Sequence, residues 1–409
     1  MSQTLLRHGN LLDIRAGTYR ESIDVLVEGN IIREISDRPI KAVDAHSLDV
    51  SGCFIMPGFI DAHVHVIGVT LDVNGLARMP PYFVAAQAKG VLEAMLMRGF
   101  TTVRDAGGAN WGLAEAVRQG HFVGPRIFVS GLALAQTGGQ GDFRVRGQRE
   151  LGCPTCRGER TLTRVVDGAQ DVRKAVREEL KEGADQIKVM ASGGMASGIP
   201  TYRPQFAMDE LRAMVDEAGR CSTYVMAHAY ESEAIARCLA AGIRSIEHGS
   251  SLDQATAKMM VDRGAFLVPT LSVYSAFQEH GLSIGYSAST VATFGQLLKD
   301  SLESLSRAHV LGVKIAHGSD LEGEMHRLQS REFLLKAEVL SAREVIASAT
   351  ITNAELLNMT GRLGVVAEGA LADILVVDGN PLKQIGVLAD PDRHLRVIMK
   401  DGIIYKSDV

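Results

Sequence analysis

The chain has 409 residues, which is room for a barrel of about 250 residues and one small additional domain. Hydrophobic residues make up 46% of it and charged residues 22%, as in folded globular proteins, so extended disorder is not expected. The formal net charge of -5 offers no basic surface for a phosphate backbone, and no apolar run reaches the roughly 18 residues of a membrane span. We therefore expect neither nucleic acid nor a membrane as a partner.

Both ends of the chain are predicted to be β-structure. Gly29-Asn30 and Asp401-Gly402 each separate two apolar, β-branched segments, which is the signal of a tight hairpin turn. Because these segments flank the middle of the chain, we predict one small β-sandwich domain built from residues 1–57 and 363–409.

The middle of the chain, residues 58–362, alternates short apolar strands with amphipathic helices, as parallel βα units do. Patterns typical of a capping box at Ser251, Ser341 and Thr352 indicate helix starts. Eight strands are predicted: 59–65, 101–106, 126–131, 186–191, 224–229, 245–249, 266–271 and 314–320. This organisation predicts an α/β protein with a (β/α)8 TIM barrel.

The connection after the third predicted strand is much longer than the others and runs from about residue 135 to 163. An excursion of this kind above a barrel usually serves as a lid or a substrate-binding loop. It contains Cys153 and Cys156, the one close pair among five cysteines. No second pair completes a zinc site, so we assign these thiols no role, and so few cysteines favour a cytoplasmic protein.

Residues that can bind a metal recur where the predicted strands end. His63 and His65 alternate on the first strand, so both side chains point the same way. His228, His248 and Asp320 end the fifth, sixth and eighth strands. Because barrel enzymes do their chemistry at the carboxyl ends of the strands, the sequence predicts a metal centre there.

Lys188 is a cation within an otherwise apolar fourth strand, where an unpaired ammonium is costly to bury. One explanation is a salt bridge to a neighbouring carboxylate. The other is a lysine of lowered pKa that reacts with CO2 to form a carbamate, whose two oxygens can bridge two metal ions.

These motifs together resemble the amidohydrolase superfamily. The resemblance rests on PGFIDAHVH, the lysine of the fourth strand, the two later histidines, HGSD, and GVVAEGALADILVVDGNP near the C-terminus, and it spans nearly the whole chain. For the binuclear subtype it implies that His63, His65 and Asp320 bind one ion and that His228 and His248 bind the other. Carboxylated Lys188 and a hydroxide would bridge them.

The resemblance also implies a mechanism. The hydroxide between two divalent ions, with zinc the expected metal, attacks the scissile carbonyl, and Asp320 carries its proton to the leaving nitrogen. Such relatives are commonly homo-oligomers.

Finer features, TTVRDAGG, ASGGMASG, MAHAY, SIEHGS and HGSDLEGEMH, resemble the branch of prolidase-like and Xaa-Arg dipeptidases. A dipeptide or N-acyl amino acid ends in a carboxylate, and Tyr230, Gln140, Arg203 and Arg144 are the candidates to contact the substrate. Gln140 stands where relatives are expected to carry a histidine. Tyr230 is also a candidate to bind the developing oxyanion as a catalytic residue.

We therefore expect a prolidase-like dipeptidase that cleaves Xaa-Pro or Xaa-hydrophobic substrates. Asp142, Glu322 and Glu324 keep an Xaa-Arg or Xaa-Lys dipeptidase open, since carboxylates would bind a basic side chain, although the two glutamates also suit a solvated loop. An N-acyl amino acid hydrolase, a cyclic amide hydrolase, a phosphotriesterase-like enzyme and a metal-free scaffold protein are the further alternatives.

Overall fold

The computed structural model describes residues 3–144, 162–195 and 198–409. Its strands are β1 Gln3–Asp13, β2 Thr18–Glu28, β3 Ile31–Ser36, β4 His46–Asp49, β5 Phe54–Pro57, β6 Phe59–Val64, β7 Phe100–Asp105, β8 Arg126–Phe128, β9 Ala133–Ala135, β10 Thr163–Val165, β11 Ile187–Met190, β12 Ser192–Gly194, β13 Ile199–Pro204, β14 Val225–Glu231, β15 Ser245–Ser251, β16 Phe266–Val268, β17 Lys314–Ile315, β18 Ile374–Val377, β19 Leu395–Lys400 and β20 Ile403–Ser407.

The α-helices are α1 Val73–Leu76, α2 Pro81–Met97, α3 Trp111–Arg118, α4 Ala169–Lys181, α5 Met208–Arg220, α6 Ser232–Ala241, α7 Gln254–Arg263, α8 Leu271–His280, α9 Ala288–Leu311, α10 Arg331–Ala337, α11 Ala342–Ala347, α12 Asn353–Leu356 and α13 Pro391–His394. Two 3-10 turns, Gly323–Leu328 and Ile385–Leu388, and a π-helical turn, Ser348–Thr352, complete the regular structure. No helix in the described ranges combines the length and apolar character of a membrane span.

The chain termini build one mixed sheet of eight strands, in the order β20-β19-β18-β5-β1-β2-β3 with β4 on β1. Both predicted hairpins are present, β2 to β3 and β19 to β20, each with a two-residue turn. Asp401 and Gly402 have φ angles of 50 and 74 degrees, as the tighter hairpin turns require. The prediction of one small β-sandwich domain drew on strands from both termini, and these strands do pair with each other, in one continuous sheet.

The middle of the chain contributes two parallel sheets. One has three strands, β6-β7-β8, and the other has seven, β10-β9-β11-β14-β15-β16-β17. All eight predicted strands are present, although the third, seventh and eighth are much shorter than predicted. The pairing gives two sheets and not one closed sheet, so the TIM barrel is not established by the strands alone.

The third predicted strand ends early, as β8, and a further strand that was not predicted, β9, follows it. β8 pairs with β7, whereas β9 pairs with β11, so the two sheets separate between them. Between them Gly131 has a φ of 65 degrees, a conformation that glycine tolerates best, and the Glu179 carboxylate accepts a hydrogen bond from the Leu132 amide. At the other edge, the Ala62 amide of β6 donates to the His317 carbonyl just after β17.

Apolar side chains fill the space between these sheets and the helices around them. Fully buried Phe59, Phe100 and Phe333 stack against one another with ring centroids 4.8 to 6.1 Å apart. Of the predicted helix caps, only Ser341 with Glu344 forms a capping box, since Asp253 caps α7 and Thr352 lies within a π-helical turn. This packed core holds the strand ends that carry the candidate metal ligands.

Candidate metal centre

His63, His65 and Asp320 form a compact group in which one donor atom of each lies within 4.8 Å of the others. The Oδ1 atom of Asp320 is 3.3 Å from Nε2 of His63 and 3.4 Å from Nε2 of His65. Asp320 follows β17 with a φ of 55 degrees, which turns its carboxylate back over β6. Two imidazoles and a carboxylate at this spacing are a donor set that suits a divalent ion.

His228 and His248 form a second group beside the first. They lie on the adjacent strands β14 and β15, and Nδ1 of His228 is 2.9 Å from Nε2 of His248. Their other ring nitrogens are engaged, because His228 Nε2 donates to the Gly193 carbonyl and His248 Nδ1 is 2.8 Å from Thr270 Oγ1. Burial lowers the pKa of His228 to about 3 and that of His248 well below its usual range, so both rings are neutral.

Lys188 lies between the two groups. Its Nζ is 3.4 Å from Nε2 of His63, and its side chain is almost fully buried. Burial lowers its pKa to about 8, which leaves a substantial neutral fraction. No carboxylate in the described part of the chain lies within ion-pair distance of it, so the salt bridge considered from sequence is absent there.

Sequence reasoning missed a buried ion pair behind His63. His63 Nδ1 donates to Glu247 Oε2 at 2.7 Å, and Arg104 Nη2 donates to the same carboxylate at 2.9 Å. Glu247 and Arg104 are completely buried. Burial alone would raise the pKa of Glu247, but Arg104 and His63 lower it to about 2. The carboxylate fixes the ring so that Nε2 faces the metal centre, as metal-bound histidines usually require.

Asp61 is a second residue that the sequence did not single out. Its Oδ1 accepts the amides of His63 and Ser319, and its Oδ2 accepts the Ser319 hydroxyl and the Gln329 side-chain amide. It thereby ties the strand of the two histidines to the loop that carries Asp320. Asp61 lies two residues before His63, so the alternation that identified the histidines also places it on the strand.

Two predicted substrate contacts lie beside the second histidine pair. The Tyr230 ring stacks on the His248 ring at 5.0 Å, and burial raises the pKa of its hydroxyl well above the usual value, so the group stays protonated. A Cβ placed on Gly194 would come 2.9 Å from the Gln140 side chain and 2.8 Å from His228, so these groups converge. Tyr230 and Gln140 therefore both lie beside the second histidine pair, and the Tyr230 hydroxyl also contacts Tyr274.

The two predicted arginines, Arg144 and Arg203, have different surroundings. Arg144 forms a bidentate ion pair with Asp142, with Nε and Nη2 each 2.7 Å from a carboxylate oxygen. Each of these residues therefore neutralises the other. Arg203 is exposed on β13, a strand of the β12–β13 hairpin. The rest of the long connection, with Cys153 and Cys156, lies outside the described residues.

Glu322 lies close to the centre, while its neighbour Glu324 is exposed. Glu322 stands two residues after Asp320, and its Cγ is 3.1 Å from the position of a Cβ built on Gly68. Burial and the charge of Asp320 raise its pKa to about 7, although the charge of His65 lowers it. A solvated loop therefore describes Glu324 and does not describe Glu322.

The chain that carries this site matches a known family. The model of the amidohydrolase family matches residues 54–406. The chain belongs to the amidohydrolase family. Members of this family generally use divalent metals, in keeping with the cluster of His63, His65 and Asp320.

Similar structures lie in the prolidase-like branch. One is a prolidase solved with N-methylphosphonate-L-proline, with 48% identity, a TM-score of 0.96, and coverage of 99% of this chain and 100% of that chain. Another is a Xaa-Pro dipeptidase with methionine bound in its active site, at 31% identity, a TM-score of 0.87 and the same coverage. Family and neighbours together make this amidohydrolase a hydrolase and imply a barrel with a small domain.

Another relative is named neither a prolidase nor a dipeptidase. The ochratoxinase of Aspergillus niger is 33% identical over 372 residues, which cover 86% of this chain and 76% of the relative. Its crystal structure has a TM-score of 0.88 with this chain. Hydrolases with different names therefore share this fold, and the substrate has to be argued from the site itself.

Proposed function

We propose that this amidohydrolase is a prolidase-like dipeptidase that cleaves the amide bond of Xaa-Pro and Xaa-hydrophobic dipeptides at a centre of two divalent ions. The observation that carries the proposal is the convergence of the two donor groups with Tyr230 at their edge. The 48% identity between this chain and a prolidase supports the substrate class.

The donor set fits two ions. His63, His65 and Asp320 would hold one, since the Nε2 atoms of both rings face the Asp320 carboxylate. His228 and His248 would hold the other, since His228 Nδ1 and His248 Nε2 face one another. Lys188, buried between the groups, would bridge them as a carbamate. A carbamate supplies the anionic charge that the His228–His248 pair lacks. When bound, such ions, with zinc as the expected metal, polarise the carbonyl and lower the pKa of water.

Asp320 would move the proton. Its Oδ2 is 3.9 Å from His248 Nδ1 while its Oδ1 faces His63 and His65, so one carboxylate reaches both donor groups. It would accept the proton of the attacking water and deliver it to the proline nitrogen, which is too basic to leave unprotonated.

Tyr230 would bind the carboxylate of the leaving amino acid. Its hydroxyl stays protonated and can donate a hydrogen bond, and its ring is fixed against His248. Gln140 would contact the substrate oxygen through its side-chain amide. The pairing of Arg144 with Asp142 and the exposure of Arg203 make both arginines weaker candidates for this role. We also propose that the strands of the two parallel sheets close into a barrel, that the substrate is a small molecule, and that the enzyme is a homo-oligomer.

Kinetics on a matched dipeptide library test this function. We expect the highest kcat/KM for Xaa-Pro and Xaa-hydrophobic dipeptides, and no turnover after chelation until metal is restored. Xaa-Arg and Xaa-Lys dipeptides are the comparison set, because Asp142, the carboxylate that would bind a basic leaving group, is already paired with Arg144. Absence of turnover for every Xaa-Pro and Xaa-hydrophobic substrate would overturn the proposal.

A further inference from the structure

Among the residues that the structure describes, the partly buried carboxylate of Glu322 has no partner. In the described part of the chain it makes no hydrogen bond and no ion pair, whereas Asp320, two residues earlier, contacts three histidines. Withdrawing an unpaired carboxylate from water is costly. Such a group is therefore suited to a cation that arrives with the substrate.

Glu322 lies in the loop that follows Asp320, beside the first donor group. Glu322 packs on Gly68, in the loop that follows His65, and the Gly323 amide donates to the Gly68 carbonyl at 2.7 Å, which fixes the loop. The Gly68 amide in turn donates to the His65 carbonyl at 2.8 Å. Glu322 therefore lies beside the first donor group, on the side of β6 and β17.

The opposite side of the centre has the opposite polarity. Tyr230 and Gln140, both donors of hydrogen bonds, border the second donor group at β14, which is three strands away from β17 in the sheet. Hydroxyl and amide donors suit a carboxylate, while Glu322 suits an ammonium. A zwitterionic dipeptide has these two charges at its two ends, and its ammonium is one carbon from the scissile carbonyl.

We propose that the Glu322 carboxylate binds the α-ammonium group of the substrate, so that this enzyme selects free dipeptides over N-acyl amino acids. The inference rests on the proposed dipeptidase function and deepens it. A basic side chain at the leaving residue would lie on the Tyr230 side, away from Glu322. The ammonium of the N-terminal residue is thus the cation that this carboxylate can reach.

The test compares Ala-Pro with propionyl-proline, which differ only by the ammonium group. We expect the native enzyme to prefer Ala-Pro by roughly 10- to 100-fold in kcat/KM, the effect of one charged hydrogen-bonding partner. Glu322→Gln should bring the ratio of the two kcat/KM values close to one. Because both substrates are measured on one preparation, partial misfolding of the variant does not change the ratio.

Glu324→Gln is the matched control, because it removes the same charge from an exposed position in the same loop. It should keep the native ratio. If Glu322→Gln also keeps the native ratio, or if the native enzyme cleaves both substrates equally, the inference is wrong while the dipeptidase function stands. If the native enzyme cleaves neither substrate nor any other Xaa-Pro, the proposed function itself fails.

Discussion

In the first donor group, at the ends of β6 and β17, Asp320 contacts His63 and His65. In the second, on β14 and β15, the neutral rings of His228 and His248 face each other. The first group contains its own anion and its own buried support, because Glu247 holds His63 and Asp61 holds the loop of Asp320. The second group has no carboxylate of its own. The second group therefore depends on neighbouring residues for negative charge, and Lys188 and Asp320 are the residues placed to supply it.

Replacing Asp320 should have the largest effect, because this residue serves the first group as a ligand and the reaction as the carrier of the proton. We expect Asp320→Asn to lower kcat/KM for Ala-Pro by about 10³-fold. Kinetics together with metal analysis of the same preparation measure the effect. A variant with more than a tenth of native activity would remove Asp320 from the proposed mechanism.

Lys188→Ala removes the residue between the two groups. We expect kcat/KM to fall by at least about 100-fold and the second group to lose its ion, since only the more distant Asp320 carboxylate, 3.9 Å from His248, would then supply charge to that group. Added propionate should restore part of the activity, because a small carboxylate can occupy the place of a carbamate. Retention of both ions and of native activity would show that the lysine has a purely structural role.

Glu247→Gln disturbs the first group and leaves the second in place. We expect metal affinity to fall roughly 10- to 100-fold. Stability should fall by about 3 kcal/mol, because Arg104 loses its buried partner. Metal titration and thermal unfolding measure the two effects. Glu217→Gln, which breaks arginine pairs on α5, is the control and should leave metal affinity unchanged. Equal metal affinity in both variants would contradict the positioning role.

Tyr230→Phe changes only a residue beside the second group and should have the smallest effect on activity. We expect kcat/KM for Ala-Pro to fall about 10-fold, because one hydrogen bond to a charged group is lost. Ala-prolinamide, which lacks the carboxylate, is the control substrate and should show no such loss. An equal loss for both substrates would assign Tyr230 to the oxyanion and not to the carboxylate.

Strand periodicity placed the candidate histidines and Asp320 at strand ends, whereas their division into two groups was implied by the family resemblance. His63, His65 and Asp320 are brought together by geometry that the order of βα units implies. Both hairpins and the eight strands of the predicted βα units were also predictable, although three strands are shorter than predicted, since turn residues and apolar segments are local signals. The family resemblance was likewise confirmed.

Pairing between side chains was not predictable. The Glu247–Arg104 pair joins residues 143 positions apart, and nothing in either local pattern indicates a buried partner. Asp142 and Arg144 were separate candidates in sequence, but their side chains neutralise each other in the folded loop. Between β8 and β9, the Leu132 amide donates to Glu179, a helix residue from another part of the chain, which no local pattern indicates.

Metal stoichiometry of the purified enzyme, measured together with hydrolysis of Ala-Pro before and after chelation, tests the paired donor groups most directly. Two divalent ions per chain are expected, with activity lost on their removal and regained on their return. Fewer than one ion per chain in active protein, or hydrolysis that survives chelation, would contradict a two-ion centre.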